Sequence, residues 1–231
     1  MSGRKRLPVV ALISGRGTNL QAIIDQARSG ELPVEIRAVI SNRPDAAGLE
    51  RARRAGIPAE VVDHRDFPSR EAFERALMEA IDRHRPGLVV LAGFMRVLGS
   101  AFVEHYRGRM LNIHPSLLPE FRGLHTHERA LQAGVREHGA SVHFVTEELD
   151  GGPVVVQAVV PVLPGDDPER LAARVLEQEH RIYPLAIRWF AEGRLALRDG
   201  RAWLDGRPLE RPVRIVPGEA AGGERTAGGE A

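Results

Sequence analysis

The chain contains no cysteine among its 231 residues. This absence excludes disulfide bonds, thiolate nucleophiles and cysteine-ligated metals, and it removes any sequence evidence for an oxidising compartment. An excess of charge is missing as well, since 32 Lys and Arg face 31 Asp and Glu, for a formal net charge of +1. Without a global basic field we expect no nucleic-acid partner, so any anionic ligand must be bound by a local site.

Long apolar runs are also missing. No run approaches the roughly 18 residues of a transmembrane helix, so we expect no membrane partner. The N-terminus is basic, but the apolar run from Pro8 to Ile13 is too short for a signal-peptide core and has no cleavage site. We therefore expect a cytoplasmic protein. The 43% hydrophobic content, with 24 Gly and 16 Pro, is typical of an ordinary globular chain with many turns.

Apolar segments of strand and helix type alternate in the first half of the chain. Pro8–Ser14 is a continuous apolar run that ends in a glycine loop, as expected for a strand buried on both faces of a parallel sheet. Further strands are predicted at 34–41, 59–62 and 88–92, and helices at 19–30, 47–55 and 69–84. This βαβ spacing predicts an α/β fold: a Rossmann-like, open, mostly parallel twisted sheet with flanking helices.

The second half predicts an antiparallel C-terminal extension of that sheet. Strands are expected at 110–114, 140–145 and 153–162, with the last two antiparallel, and helices at 128–134 and 169–192. We expect one domain over residues 1–213, made of the halves 8–100 and 101–213. Residues 214–231 are predicted to be a disordered tail, because the Gly- and Glu-rich segment from Pro217 onward has too little apolar area to become ordered.

The loop Ser14-Gly-Arg-Gly-Thr-Asn19 joins the first strand to the first helix. Its two glycines would let the backbone approach a ligand, and the amides of residues 17–19 would lie at the positive end of a helix dipole, which favours a phosphate. The same loop would also fit a tight βα turn with an ordinary Thr or Asn cap. The dinucleotide pattern G-x-G-x-x-G requires glycine where Leu20 stands, so a single phosphate is favoured over a pyrophosphate.

Asn112 and His114 share one face of a predicted strand, because side chains at positions i and i+2 of a strand point the same way. A neutral amide donor beside a titratable imidazole suits acyl transfer: the amide can hold an oxygen that becomes negative while the imidazole manages a proton. The alternative is a hydrogen-bonded structural histidine at a strand end. His143, on a later strand, fits either an outer partner of such a site or a capped polar group.

The acidic glycine turn from Thr146 to Pro153 connects two of the later strands. Its Asp150-Gly-Gly-Pro segment would hold a carboxylate on an unusual backbone path, and a carboxylate close to His114 would favour the protonated imidazole. A solvated hairpin turn is the simpler interpretation. The remaining histidines match no familiar ligand spacing, so we expect no metal.

Six segments together resemble a known family. They are Ile13-Ser-Gly-Arg-Gly-Thr-Asn-Leu-Gln-Ala-Ile, Ser41-Asn-Arg, Leu91-Ala-Gly-Phe-Met-Arg, Leu111-Asn-Ile-His-Pro-Ser-Leu-Leu-Pro, Gly139-Ala-Ser-Val-His-Phe-Val and Leu149-Asp-Gly-Gly-Pro. In this order the chain resembles the folate-dependent phosphoribosylglycinamide formyltransferases of purine biosynthesis. The second-half motifs Asn-x-His-Pro-Ser-Leu-Leu-Pro and Asp-Gly-Gly-Pro are shared with other formyl-folate enzymes, whereas Ser-Gly-x-Gly-Thr-Asn selects this branch.

The resemblance implies a phosphate-binding half at 8–100, a catalytic and folate half at 101–213, and a role for each matched residue. The acceptor phosphate would be held by Gly17, Thr18 and Asn19, and the rest of the acceptor by Leu176, Glu177, Gln178 and Glu179. The folate would meet Arg70, Met95, Arg96, Val97, Leu98, Asn112, Thr146, Glu147, Glu148, Leu149 and Asp150. Without the resemblance, Met95 to Leu98 would be interpreted as a core segment.

The implied reaction transfers the formyl group of the co-substrate 10-formyltetrahydrofolate to the amine of N1-(5-phospho-D-ribosyl)glycinamide, in de novo purine (IMP) synthesis. Asn112, His114 and Asp150 would be the catalytic residues in a direct attack without a metal. The expected partners are small-molecule substrates, and the sequence leaves protein partners open. The alternatives are another formyl-folate enzyme, either a hydrolase or a transferase for a different amine, and a non-catalytic nucleotide-binding regulator.

Overall fold

The computed structural model describes residues 5–218, and its largest element is an eight-stranded sheet. The strands are β1 (Leu7–Ile13), β2 (Val34–Ser41), β3 (Ala59–Val61), β4 (Leu88–Leu91), β5 (Met110–His114), β6 (Glu137–Phe144), β7 (Val154–Pro161) and β11 (Val213–Ile215). Their order is β11-β7-β6-β5-β4-β1-β2-β3. β6 is antiparallel to both of its neighbours, and every other neighbouring pair is parallel.

Helices cover both faces of the sheet. They are α1 (Thr18–Ser29), α2 (Gly48–Arg54), α3 (Arg70–Asp82), α4 (Ser100–His105), α5 (Thr126–Ala133) and α6 (Pro168–Ala191), with a 3-10 turn at His64–Asp66. Val9, Ala11 and Ile13 of β1 join a core cluster with α1, α2 and α6, whereas Val10 and Leu12 join a second cluster with α3 and α4. The predicted mostly parallel sheet with flanking helices and an antiparallel extension is confirmed. Within residues 5–218, no helix has the length and apolar character required to cross a membrane.

The chain changes direction across the sheet between β1 and β4. From β1 it builds outward through β2 and β3, then crosses back to place β4 on the other side of β1. The loops that follow β1 and β4 therefore diverge at the carboxyl ends of adjacent parallel strands. Ligands of open α/β sheets bind at such a switch point.

The C-terminal part contains strands that the sequence patterns did not predict. β8 (Leu195–Arg198), β9 (Arg201–Leu204) and β10 (Arg207–Pro208) form a small antiparallel sheet. The predicted start of the tail at residue 214 is wrong, because β11 pairs with β7 over residues 213–215 and its apolar residues pack on the core. Three residues are too few to show a strand periodicity in the sequence. β11 forms because these residues pair with β7. The predicted tail from residue 219 lies outside the described residues, and the division into two halves stays a prediction.

Gly139 of β6 provides a test of this packing. A Cβ built at Gly139 would stand 1.9 Å from the carbonyl oxygen of Ala158 in β7 and 2.8 Å from Cδ2 of Leu117. We expect Gly139→Ala to lower the free energy of unfolding by about 1–3 kcal/mol, as overpacked interiors do. In the same urea titration, Gly15→Ala should change it by at most about 0.5 kcal/mol, because a Cβ at Gly15 meets nothing within 4 Å. Equal stability of the two variants would contradict the clash.

Candidate active site

The loop after β1 leads directly into the N-terminus of α1. Gly17 adopts a left-handed φ of 73° and lies so close to α2 that a Cβ would stand 2.7 Å from Cα of Gly48. α1 has no side-chain cap at this end and no acidic residue in its first turn. Arg51 holds the loop by donating from Nε to the carbonyl oxygen of Arg16 over 2.8 Å. Uncapped helix amides beside a guanidinium suit an anion, so the phosphate role of residues 17–19 stays a prediction that this geometry is compatible with.

Polar side chains of α6 meet this loop. Nδ2 of Asn19 donates to Oε1 of Glu179 over 3.4 Å. Burial raises the pKa of Glu179 to about 7, while the hydrogen bond from Asn19 acts in the opposite direction. Among the described residues, Oδ1 of Asn19, Oε1 of Gln178 and Nε2 of His180 are buried without a hydrogen-bond partner. Buried polar atoms are rarely unpaired in proteins, so this cluster indicates a ligand-binding surface.

The residues of α6 that were predicted to contact the acceptor occupy different environments. Leu176 is half-buried and Glu177 is exposed, whereas Gln178 and Glu179 are buried. His180 is an additional polar residue here that the sequence analysis did not single out. Its pKa is lowered first by burial and then by the charge of Arg51. His180 belongs with these polar residues only because the tertiary fold brings α6 close to the loop after β1.

The three predicted catalytic side chains come together at the end of β5. Nδ1 of His114 lies 3.5 Å from Oδ2 of Asp150, and both side chains are 7% exposed. Nε2 of His114 lies 2.9 Å from the carbonyl oxygen of Phe121, to which it donates. Asp150 adopts a left-handed φ of 49°, the unusual backbone path that the sequence predicts, and its Oδ2 accepts from the amide of Gly123 over 2.9 Å. Asn112 lies two residues before His114 on the same strand face.

The loop after β4 is held in place at both ends. The amide of Met95 donates to Oγ of Ser14 over 2.8 Å, and the amide of Gly99 donates to Oε1 of Glu74 over 2.8 Å. Ser14 is the first residue of the loop after β1, so its hydroxyl joins the loops after β1 and β4 at the switch point. The side chain of Glu74 is buried, whereas its ion-pair partner Arg70, at 3.7 Å, is half exposed.

The side chains within this loop divide into an exposed and a buried group. Met95 and Val97 are 63% and 56% exposed, which is unusual for apolar residues in a segment fixed at both ends. Arg96 stacks over the ring of Phe73 at 5.8 Å from its centroid. Leu98, at 9% exposure, belongs to the core. The core interpretation therefore holds for Leu98, while Met95 and Val97 are free to contact a ligand.

A cavity of about 260 Å³ lies beside the loop that follows β6. Its lining residues are Val103, Arg107, Val145, Thr146, Glu147, Glu148 and Leu197. Three of the predicted folate-loop residues are thus part of a cavity, but none of Met95 to Leu98 lines it. Leu149 of the same loop is 54% exposed, and Glu148 pairs with Arg122. The lining residues from α4 and β8 were missed in the sequence because only tertiary contact brings them to the loop.

The fold and this cluster of side chains define a formyl transferase. The sequence profile of the family described as "Formyl transferase" matches residues 7–187, and the chain belongs to that family. The match covers the sheet from β1 to β7 and most of α6, so it includes every predicted site residue.

The relatives within the family are more specific. The chain is 59% identical over 201 residues to the phosphoribosylglycinamide formyltransferase of Escherichia coli (strain K12), covering 87% of this chain and 95% of that protein. The solved phosphoribosylglycinamide formyltransferase of Coxiella burnetii is 56% identical, with a TM-score of 0.88 over 91% of this chain and 99% of that one. A formyltetrahydrofolate deformylase from Burkholderia mallei is 29% identical, with a TM-score of 0.79 over 86% and 70%. The predicted resemblance to the phosphoribosylglycinamide formyltransferases is confirmed.

The buried carboxyl group of Glu179 predicts a pH-dependent stability. Its pKa of about 7 in the fold exceeds its ordinary value of 4.5, so the folded state retains a proton that the unfolded chain releases. Stability is therefore lost as the pH rises from about 4.5 to about 7. Glu179→Gln, which stays neutral, should match the wild type at the acidic end and be more stable above pH 7. The measurement is urea unfolding across this pH range, with the exposed Glu177→Gln as control. If the difference in unfolding free energy between Glu179→Gln and the wild type is as independent of pH as that of the control, the assignment is refuted.

Proposed function

We propose that this chain transfers the formyl group of 10-formyltetrahydrofolate to the amine of N1-(5-phospho-D-ribosyl)glycinamide, giving the N2-formyl product and tetrahydrofolate. The proposal depends mainly on one observation: at the end of β5, on the strand face of the half-buried Asn112, the buried side chains of His114 and Asp150 lie 3.5 Å apart. The similarity to enzymes named for this acceptor supports the same substrates and a place in purine synthesis.

The acceptor binds where α1 and α6 meet. Its phosphate accepts hydrogen bonds from the backbone amides of Gly17, Thr18 and Asn19 at the uncapped end of α1, where the helix dipole favours an anion. The rest of the acceptor contacts the surface of α6 from Leu176 to Glu179. A carboxyl group whose pKa is about 7 can accept or donate a hydrogen bond, so Glu179 suits a neutral polar group of the acceptor.

The folate binds on the opposite side of the sheet edge. The segment Met95 to Leu98, with its exposed Met95 and Val97, and the loop Thr146 to Asp150 together contact the pterin. Arg70 is half exposed, and its guanidinium, which pairs with Glu74 at 3.7 Å, can also meet a carboxylate of the folate. Asn112 lies between the two sides and contacts both the folate and the reacting formyl group.

The amine attacks the formyl carbon directly. A carbon–nitrogen bond to the acceptor forms, the bond to the folate nitrogen breaks, and one proton passes from the amine to that nitrogen. Nδ2 of Asn112 donates to the developing oxyanion. Protonated His114 adds a second donor through Nδ1, because its Nε2 already donates a hydrogen bond to the carbonyl oxygen of Phe121. The carboxylate of Asp150 stabilises the imidazolium and, through a water, assists the proton transfer. This chemistry requires no metal, ATP or covalent enzyme intermediate.

One assay separates the candidate functions. Purified protein is mixed with 10-formyltetrahydrofolate, with and without the glycinamide ribonucleotide, and tetrahydrofolate release is followed by absorbance. Release that requires the acceptor supports the transferase. Release without any acceptor would favour a hydrolase, to which the 29% identical deformylase is the relevant relative. No release under either condition would favour a nucleotide-binding regulator.

Removing the amide donor should be costly. Loss of a single oxyanion donor reduces turnover by about 10²–10³-fold, so we expect a fall of that order in kcat for Asn112→Ala. The KM for the acceptor should change much less, because the amide acts on charge that exists only in the transition state. Full turnover by Asn112→Ala would refute the assigned role.

The imidazole and the carboxylate should act mainly on rate. We expect His114→Ala and Asp150→Asn to lower kcat more than they raise either KM, because both groups stabilise charge and move a proton in the transition state. His105→Ala is a suitable control, since His105 is 43% exposed on α4 and pairs with Asp82. Steady-state kinetics that showed unchanged kcat in both site variants would contradict their roles.

A further inference from the structure

His143 of β6 lies directly opposite Asn112 of β5 in the antiparallel ladder. Nδ2 of Asn112 is 3.2 Å from Nε2 of His143, and this is the one side-chain hydrogen bond of Asn112 within residues 5–218. The side chain of His143 is only 3% exposed, so water does not compete freely for either ring nitrogen.

The other ring nitrogen determines what Nε2 can do. Nδ1 of His143 lies 2.9 Å from the carbonyl oxygen of Phe144. A carbonyl oxygen only accepts, so Nδ1 must carry a hydrogen. In a neutral imidazole Nε2 then has a lone pair and accepts. Burial is the leading cause that lowers the pKa of His143, while the hydrogen bond to the Phe144 carbonyl and the charge of Asp150 act in the opposite direction without outweighing it.

An accepting Nε2 fixes the orientation of the Asn112 amide. If the amide were flipped, its carbonyl oxygen would face the lone pair of Nε2 and lose the hydrogen bond. In the observed orientation one hydrogen of Nδ2 is used by His143, and the second hydrogen of the same nitrogen remains for a substrate oxygen. The backbone carbonyl of Phe144 therefore specifies, through one imidazole, which end of Asn112 meets the substrate.

The carboxylate of Asp150 offers His143 a competing arrangement. Its Oδ1 lies 3.9 Å from Nε2 of His143. A hydrogen on Nε2 would point to this carboxylate and leave Asn112 without its acceptor. The Nδ1–H form keeps Asp150 available to His114, whose Nδ1 lies 3.5 Å from Oδ2.

We propose that His143 is a positioning residue for the formyl transfer: held as the neutral Nδ1–H tautomer by the Phe144 carbonyl, it directs the Asn112 amide toward the oxyanion. The inference rests on the proposed function of Asn112. His143 itself touches no reacting atom and acts only through that amide.

The tautomer is measured directly on the unsubstituted protein. Long-range ¹H–¹⁵N correlation spectra of histidine-labelled protein report which ring nitrogen carries the hydrogen. We expect His143 to show a protonated Nδ1 and an unprotonated Nε2 at neutral pH. A hydrogen on Nε2 would overturn the proposal, whether or not the protein transfers formyl groups.

Two substitutions test the consequence for catalysis. His143→Leu removes the acceptor, whereas His143→Gln can place an amide oxygen near the position of Nε2. Partners that orient a functional group at metal sites contribute about 10–100-fold to activity, and we expect a fall of that order in kcat for His143→Leu, with both KM values little changed. His143→Gln should recover most of the lost kcat. His138→Leu, which replaces another buried histidine of β6, is the matched control and should retain kcat.

A double substitution distinguishes positioning from a general packing effect. In an Asn112→Ala background the amide is absent, so His143→Leu should cause no further loss of kcat. An equal loss in both backgrounds, or wild-type kcat in His143→Leu, would overturn the proposal. If His143→Leu does not fold, the tautomer measurement on the unsubstituted protein decides the question. Wild-type activity in the same assay tests the proposed function separately.

Discussion

The antiparallel pairing of β6 with β5 is the contact on which the proposed active site depends. It sets Asn112 opposite His143 and turns the loop after β6 back toward the end of β5. The turn is closed by the amide of Phe144, which donates to the carbonyl of Pro153 over 3.0 Å, and Gly152 packs where a Cβ would stand 1.8 Å from the Phe144 carbonyl. A parallel β6 would require a long crossover, and Asp150 would not reach His114 in this way.

The same sheet edge separates two surfaces that a two-substrate reaction must bring together. Glu179 belongs to the face covered by α1 and α6, whereas the loop after β4 belongs to the face covered by α3 and α4. Ser14 joins them: its hydroxyl accepts from the amide of Met95 and donates to Oδ1 of Asn42, which is buried. Because a buried hydroxyl with both roles filled has little freedom, the two loops keep a defined separation at the point where the formyl group would pass.

The proposed site also contains features that normally destabilise a folded protein. Asp150 holds a left-handed backbone conformation, a strain of about 1–3 kcal/mol, and Glu179 is a buried carboxyl group. Oδ1 of Asn19 and Oε1 of Gln178 are buried and unpaired among the described residues. Such features persist only where the surrounding structure enforces them.

The sequence by itself determined the alternation of strands and helices, the loop after β1 and the shared face of Asn112 and His114, because periodicity and glycine placement are local properties. It also indicated an unusual backbone path at Asp150 through the adjoining glycines. Only the tertiary structure decided that Asp150 lies 3.5 Å from His114, that Val103 and Leu197 line the cavity, and that β11 docks on β7. These contacts join residues far apart in the chain. The distances between them depend on strand order and packing, and neither can be deduced from a local sequence pattern.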